Sequence, residues 1–200
     1  MNIIFFYDIK NNNIELIKLF MDYAYDKNID LEINSCGYPI LYYPILFAIE
    51  NNNIELVKLL IDYANRNDII LDLNKISSRK YPILSATNNN NIEIVKLLMD
   101  YTNEKNIILE MNKIDYYSYY PLLNAICKNN VELVKLLMDY ANKNNIILDI
   151  NAKHSWNEIP IVGAIKNNNA KIVKLLMNYA REKNMILEIN KMNGWGEFSI

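Results

Sequence analysis

The chain has few residues of four types: Gly and Pro, which interrupt helices and strands, Cys, which forms disulfides, and His, which often binds metals. It contains 4 Gly and 5 Pro among 200 residues, which excludes a flexible spacer or a Pro-rich segment. Its two cysteines, Cys36 and Cys127, and its single histidine, His154, cannot supply the four Cys or His ligands of a structural zinc site. We therefore expect no metal site, and reduced thiols in the cytoplasm or nucleus rather than a disulfide-bonded secreted domain.

An excess of one charge and long apolar runs are missing too. The 21 Lys and Arg oppose 23 Asp and Glu, for a net charge of −2, so no basic field attracts phosphate and we expect no nucleic-acid partner. Residues 3–7 are apolar but too few for a signal peptide, and no stretch approaches the roughly 20 apolar residues that span a bilayer. The sequence predicts a soluble protein that is not secreted and has no membrane partner.

The chain contains instead one motif repeated five times. Counted from the residue after each Asn-rich run, the copies begin 40, 38, 39 and 39 residues apart, at Ile14, Ile54, Ile92, Val131 and Ala170. A unit of this length cannot bury its apolar face alone and must stack on its neighbours. We predict an α-helical solenoid forming one domain over 1–200, with approximate units 1–43, 44–81, 82–120, 121–159 and 160–200.

The third unit illustrates why each copy should begin with a short helix and a hinge. Pro82 suits the first turn of a helix, and the mostly apolar residues after it end at Asn88. Asn tolerates the left-handed backbone that ends one helix, and it is also a leading cap for the next helix. The run 89–91 therefore predicts a hinge, and with Asn90 as the cap, Glu93 stands at capping-box spacing.

The rest of the unit predicts a second helix and an extended segment. Residues 92–101 are apolar on more than one side, as expected for a helix enclosed by neighbours. Residues 107–112 begin with β-branched side chains and end in alternation, which indicates a short strand-like segment.

This combination resembles the ankyrin repeat. The resemblance covers nearly the whole chain and implies paired antiparallel helices, a projecting hairpin finger, and binding of other proteins along the fingers and the concave helix face. A period near 39 also suits HEAT-type helical pairs, but those have no strand-like finger. The residues that carry the resemblance in the second unit are Pro44, Ala48, Glu55, Leu59, Leu60 and the triplet Asp72-Leu73-Asn74.

The chain departs from the family pattern in three ways. The signature Thr-Pro-Leu-His-x-Ala reads Tyr-Pro-Ile-Leu-Phe-Ala from Tyr43, so the Thr and the His, with their hydrogen bonds, are missing. The period exceeds the family's 33 by about six residues, which fall after the second helix. The Gly that usually ends the first helix is replaced by Asn, at Asn52, Asn90, Asn130 and Asn168.

Nothing in the sequence predicts catalysis. His154 stands beside Ser155, but a nucleophile needs a base oriented by a third group and a pocket, which a finger tip does not offer. The repeated Lys and Asp lie four residues apart on each second helix and neutralise each other, as in Lys96 and Asp100. We expect no enzymatic activity and no cofactor.

Positions that vary from copy to copy are the candidates for recognition, because the constant ones serve stacking. One variable region is the finger, where Tyr, Trp and Arg are typical interface anchors, whereas the residue just before each Pro (Tyr43, Tyr81, Tyr120, Ile159) is expected in the core. The other is the first helix, whose variable positions the resemblance places on the concave side. The predicted protein-binding residues are Arg79, Tyr116, Tyr117 and Trp156 in the fingers and Phe47, Ser85, Asn124, Glu50, Asn88 and Lys166 on the first helices.

Three functions are compatible with this pattern. The first is a non-enzymatic scaffold that binds a protein partner of unknown identity through its aromatic fingers and concave face. The second is a regulatory or inhibitory ankyrin segment of a larger protein, and the third is a spacer with no specific partner. Residues beyond 200 would separate the first two, because a catalytic or channel domain there would favour regulation.

The two end copies carry a further expectation. The last copy is as apolar as the interior ones, with Ile172, Val173 and Leu176 in its second helix. We therefore expect either further repeats after residue 200 or self-association through the C-terminal face. The first copy has Ile4 in place of Pro and Asp8 in place of Ala, as in a modest cap.

Overall fold

The computed structural model describes residues 2–37, 42–153 and 159–188. These residues form ten α-helices and no strand, which confirms the predicted all-α repeat fold. The helices are α1 Asn2–Lys10, α2 Ile14–Asp26, α3 Pro44–Glu50, α4 Ile54–Arg66, α5 Pro82–Asn88, α6 Ile92–Lys105, α7 Pro121–Cys127, α8 Val131–Lys143, α9 Pro160–Lys166 and α10 Ala170–Glu182.

The chain forms two compact units, Met1–Leu109 and Glu110–Ile200. The first unit contains α1 to α6 and the second contains α7 to α10. Within each unit, the two helices of a repeat pack on each other, and each helix packs on its counterpart in the next repeat. The organisation of residues 1–200 as one domain stays a prediction.

Proline starts the first helix of every repeat except the first one. Pro44, Pro82, Pro121 and Pro160 each occupy the opening turn of a seven-residue helix, after a residue with an extended backbone. This extended conformation is the one that a following Pro imposes, and Pro itself is already bent for the first turn. The first repeat has no Pro here, and its helix α1 is nine residues long.

The Asn run between the two helices is a hinge, as predicted, but the cap is one residue later than expected. Asn90 has a left-handed backbone with φ of 56°, and the side chain of Asn91 accepts a hydrogen bond of 3.0 Å from the backbone N–H of Ile94. The left-handed residue turns the chain so that the N–H of Asn91 reaches the carbonyl of Ala86, 3.2 Å away. The assignment of Asn90 as the cap, and with it the Glu93 capping box, is therefore wrong.

The observed left-handed positions correct one of the four Asn residues that were predicted to replace the family's Gly. Asn52, Asn90 and Asn168 have left-handed backbones, with φ of 54°, 56° and 51°. In the fourth repeat the left-handed residue is Asn129, with φ of 54°, and Asn130 is the cap of α8. The prediction of Asn130 was wrong because Lys128 replaces the first Asn of this hinge as the C-cap of α7, so the two remaining Asn residues are the left-handed residue and the cap of α8.

The segments predicted to be strand-like contain no regular strand within the described residues. Their backbone groups bond to an Asn side chain of the preceding repeat rather than to another strand. The amide of Asn34 donates to the carbonyl of Ile70 at 2.7 Å and accepts from the N–H of Asp72 at 3.0 Å. In the second unit, the amide of Asn112 pairs in the same way with Ile147 and Asp149, at 2.7 and 3.0 Å. In the first four copies, the closing Asn (Asn34, Asn74, Asn112 or Asn151) bonds to the next repeat in this way, which explains its constancy there.

Buried tyrosines make a second set of bonds between repeats. The hydroxyl of Tyr43 donates to the carbonyl of Lys75 at 2.9 Å, and that of Tyr101 accepts from the N–H of Leu71 at 2.9 Å. Burial raises the pKa of both hydroxyls above the usual value for tyrosine. The expectation that the residues before Pro belong to the core is confirmed, since Tyr43, Tyr81, Tyr120 and Ile159 are all buried.

Candidate functional site

Two of the predicted fingers are described in full, residues 75–81 (finger A) and 113–120 (finger B). Finger A belongs to the first compact unit and finger B to the second. The other two fingers include residues 38–41 and 154–158, so the predicted binding residue Trp156, together with His154, lies outside the described residues.

Finger A is a tight two-residue hairpin turn. The backbones of Ser77 and Lys80 exchange hydrogen bonds of 2.9 and 3.0 Å, which form an isolated antiparallel bridge. The two residues between them, Ser78 and Arg79, both have positive φ, 50° and 66°, as in the turn whose twist matches a hairpin. This turn places Arg79 at an exposed tip.

An ion pair fixes the base of finger A. The ammonium group of Lys80 donates to the carboxylate of Glu50 on α3, and it lies 5.8 Å from the centre of the Tyr42 ring. The hydrogen bond to Glu50 is the main reason that the pKa of Lys80 is raised above its usual value. Glu50 is one of the predicted binding residues; 16% of its side chain is exposed, and its ion pair with Lys80 anchors the finger.

Finger B is organised around one carboxylate. Oδ1 of Asp115 accepts hydrogen bonds from the N–H groups of Tyr117 and Tyr119, both at 2.8 Å. The backbone of Asp115 also pairs with Ser118 and Tyr119, and Ser118 has a left-handed backbone with φ of 64°. This is the arrangement of a three-residue hairpin loop. Sequence reasoning missed Asp115, although an Asp before a turn commonly binds the backbone two residues on.

The loop of finger B presents two aromatic rings to solvent. Tyr116 and Tyr117 are 66% and 61% exposed, the ring centres are 5.2 Å apart, and the planes meet at 82°. An edge-to-face pair of this kind is a favourable arrangement that also keeps both rings in place. The structure thus brings together two of the predicted binding residues.

The predicted positions on the first helices divide into exposed and buried ones. Asn88 and Lys166 are exposed, and Phe47 is half-buried. Ser85 and Asn124 are only 3% and 5% exposed, so their side chains are almost fully enclosed. The hydroxyl of Ser85 is buried without a hydrogen-bond partner among the described residues.

In residues 2–37, 42–153 and 159–188, no group of three His, Cys, Asp or Glu side chains could hold a metal ion. No helix in this described part of the chain is long and apolar enough to cross a membrane. Cys36 and Cys127 are not joined in a disulfide, and both lie at exposed positions.

The chain matches a known protein family. A family model described as ankyrin repeats, in three copies, matches residues 5–108 and 45–147. A comparison with curated proteins gives no match.

Proposed function

Because this chain belongs to the ankyrin-repeat family, we propose that it is a scaffold that binds a protein partner through its fingers and concave helix face. Ankyrin repeats are generally protein–protein interaction modules and typically non-enzymatic. The observation that carries the proposal is the exposed pair Tyr116 and Tyr117 on finger B.

The aromatic pair has the properties of an interface anchor. Tyr offers a large contact area with an apolar body and a polar tip, and it loses little side-chain freedom when it is bound. Finger B is also held in shape before binding, because Asp115 ties down the backbone of Tyr117 and Tyr119. A loop that is already ordered avoids part of the entropy cost of association.

The remaining candidate residues would offer further contacts, on each unit taken by itself. Arg79 at the tip of finger A provides a cation and five N–H donors, which suits carboxylates on a partner. Asn88 and Lys166 add exposed polar groups on α5 and α9. Phe47 contributes a half-buried ring on α3, next to the groove that also contains Asn51 and Leu56.

Partner capture with matched variants tests the proposal. The wild-type chain and the double variant Tyr116→Ala/Tyr117→Ala are immobilised, and proteins captured from the source cells are quantified by mass spectrometry. The control is Ile147→Ala, which truncates another exposed apolar side chain of the same unit. A partner is a protein retained by the wild type and the control but depleted on the double variant.

Calorimetry with the purified partner then measures how much binding free energy is lost when the aromatic side chains are removed. In the triple variant Tyr116→Ala/Tyr117→Ala/Trp156→Ala, we expect binding to weaken by at least about 2 kcal/mol, or roughly 30-fold, because interface anchors of this type commonly cost that much singly. Equal affinity for wild type and variant would contradict the role of finger B. A partner encoded on the same polypeptide would instead support the regulatory alternative.

A further inference from the structure

The first and last repeats each expose apolar side chains that are covered in the other repeats. On the first repeat, Leu16 and Tyr23 are 40% and 52% exposed, and Leu19 beside them is exposed as well. In every later repeat, the residues at the Leu16 and Tyr23 positions are buried, as in Leu56 and Tyr63. We call Leu16, Leu19 and Tyr23 the leading face.

The last repeat exposes the opposite surface. Ile165 and Met177 are 42% and 48% exposed, and Val173 between them is half-buried. In the preceding repeat, the residues at these positions are Ile126, Val134 and Met138, all of them buried. We call Ile165, Val173 and Met177 the trailing face; it lines an open groove of about 540 Å³ that Lys174 and Arg181 also border.

The stacking inside each unit identifies what these two faces fit. In the second unit, α9 packs on α7, and α10 packs on α8, so a following repeat covers the surface that corresponds to the trailing face. In the first unit, α4 packs on α2, so a preceding repeat covers the surface that corresponds to the leading face. A trailing face is therefore complementary in shape to a leading face, not to itself.

The charges on the two end helices point to the same pairing. Helix α2 carries one lysine and three carboxylates, for a net charge of −2, whereas α10 carries two lysines, one arginine and one glutamate, for a net charge of +2. The helices between them are close to neutral: α4 and α8 carry no net charge and α6 carries −1. Opposite charges on the two faces favour contact between them and disfavour contact between like faces.

Contacts between repeats supply specific partners for this pairing. Lys58 on α4 contacts Glu93 on α6 at 2.7 Å, and the residues at these positions in the end repeats are Lys174 and Glu15. The Tyr179 hydroxyl meets the N–H of Leu148 at 2.9 Å and the carbonyl of Ile146 at 3.4 Å. By repeat position, Leu187 corresponds to Leu148 and Met185 to Ile146. The Tyr23 hydroxyl would therefore meet the N–H of Leu187 and the carbonyl of Met185 in a second copy.

We propose that this chain self-associates head to tail, with the trailing face of one copy stacked on the leading face of the next, so that the repeat array continues across the contact. Such an interface uses two different surfaces of each molecule, so each copy keeps one free face and the contact can propagate. The assembly therefore grows with concentration.

Two single variants block one face each. Leu19→Glu places a carboxylate on the leading face, and Met177→Glu places one on the trailing face. Both side chains are at least 48% exposed, so the fold is retained, which circular dichroism and thermal melting check. The control is Ile147→Glu, a change at an exposed position outside both faces.

Sedimentation velocity over a concentration series provides the test. The wild type and the control associate, and each blocked variant does so at least about tenfold more weakly, because a charge would have to be buried in the contact. An equimolar mixture of Leu19→Glu and Met177→Glu forms a one-to-one dimer, since one good pair of faces remains. Association also weakens in 1 M salt, where charges are screened over about 3 Å.

Other outcomes overturn the proposal. A wild-type chain that stays monomeric at millimolar concentration rules out the contact. Dimers of Leu19→Glu alone would show that trailing faces pair with each other, and dimers of Met177→Glu alone would show the same for leading faces. A mixture that remains monomeric, although the wild type associates, would place the contact elsewhere on the surface.

Discussion

The first two repeats have almost the same second helix but different surroundings. Helix α2 reads IELIKLFMDYAYD and α4 reads IELVKLLIDYANR. Leu56 and Tyr63 of α4 are buried, whereas Leu16 and Tyr23, at the same positions of α2, are exposed. The comparison teaches that burial of a repeat residue depends on the neighbouring repeat as much as on its own helix.

The first helices of these two repeats differ in composition as well. Asp8 of α1 occupies the position of Ala48 in α3, and both residues are buried. One carboxylate oxygen of Asp8 has no hydrogen-bond partner among the described residues, and desolvation raises the pKa of this carboxyl above its usual range. The first repeat therefore combines an exposed apolar face with a buried acid, which is the reverse of an ordinary cap.

The largest effect is expected from truncation of the matched leucines. Leu56→Ala should lower the free energy of unfolding by about 2 to 5 kcal/mol, because the methyl groups of a fully enclosed side chain are lost and a cavity remains. Leu16→Ala should cost less than about 1 kcal/mol, since that side chain is already partly in water. Urea denaturation of both variants measures the difference, and equal losses would mean that the neighbouring repeat does not decide burial.

Replacement of the buried acid should stabilise the protein. Asp8→Ala restores the residue found in the other repeats and removes an unsatisfied buried carboxyl, for a gain of about 1 to 3 kcal/mol at pH 7. Since the folded state raises the pKa of Asp8, it binds its proton more tightly than the unfolded chain does. The free energy of unfolding of the wild type therefore decreases as pH rises above about 4, the usual pKa of Asp.

Thermal unfolding of the wild type and Asp8→Ala between pH 3 and pH 7 measures this dependence. The advantage of the variant should be smallest at pH 3, where the carboxyl is protonated in both states, and should grow toward pH 7. A constant difference across this range would show that the charge of Asp8 has no part in the effect.

A smaller effect should follow from removal of a tyrosine hydroxyl. Tyr101→Phe leaves the buried N–H of Leu71 without its acceptor and should cost about 1 to 2 kcal/mol. The matched change Tyr23→Phe alters a half-exposed residue and should leave the stability of the monomer unchanged within about 0.5 kcal/mol. Hydrogen exchange at the Leu71 amide provides a local readout, because its protection should fall in Tyr101→Phe alone.

The smallest expected effect concerns the left-handed hinge residues. Asn168→Gly should be neutral or stabilising by up to about 1 kcal/mol, because Gly adopts positive φ without strain. At Asn52, the gain should be offset by the loss of a 2.7 Å hydrogen bond from the side chain of Asn91. Parallel denaturation curves test this difference, which should disappear if the Asn side chain does not join the repeats.

Local chemistry made much of the fold predictable. Pro at the first turn, Asn in the hinge and apolar periodicity act over a few residues, so the helix starts and the repeat period could be predicted, but α6 continues to Lys105, past the predicted 92–101. The cap was misplaced by one residue in the hinge, because Asn suits both the left-handed position and the capping position. Leu97 was grouped with an enclosed helix, but it is half-buried, and Leu98 beside it is fully buried.

The candidate site was less predictable than the fold. Tyr116 and Tyr117 were recognised by their residue type, and the structure finds them exposed, but the role of Asp115 depends on the shape of the loop. The ion pair of Glu50, another predicted binding residue, with Lys80, 30 residues away, was not foreseen. Contacts across such a separation are set by the packing of repeats, which sequence variation alone does not reveal.

The sequence by itself determined the repeat period, the helix pairs, the hinge and the family, because all of these follow from short-range patterns that recur five times. Only the tertiary structure decided which copies of a repeated residue are covered, which variable residues are open to a partner, and which side chains join consecutive repeats. The physical reason is that burial and hydrogen bonding depend on the neighbour that a surface meets, and identical sequence positions meet different neighbours at the two ends and in the middle of an array.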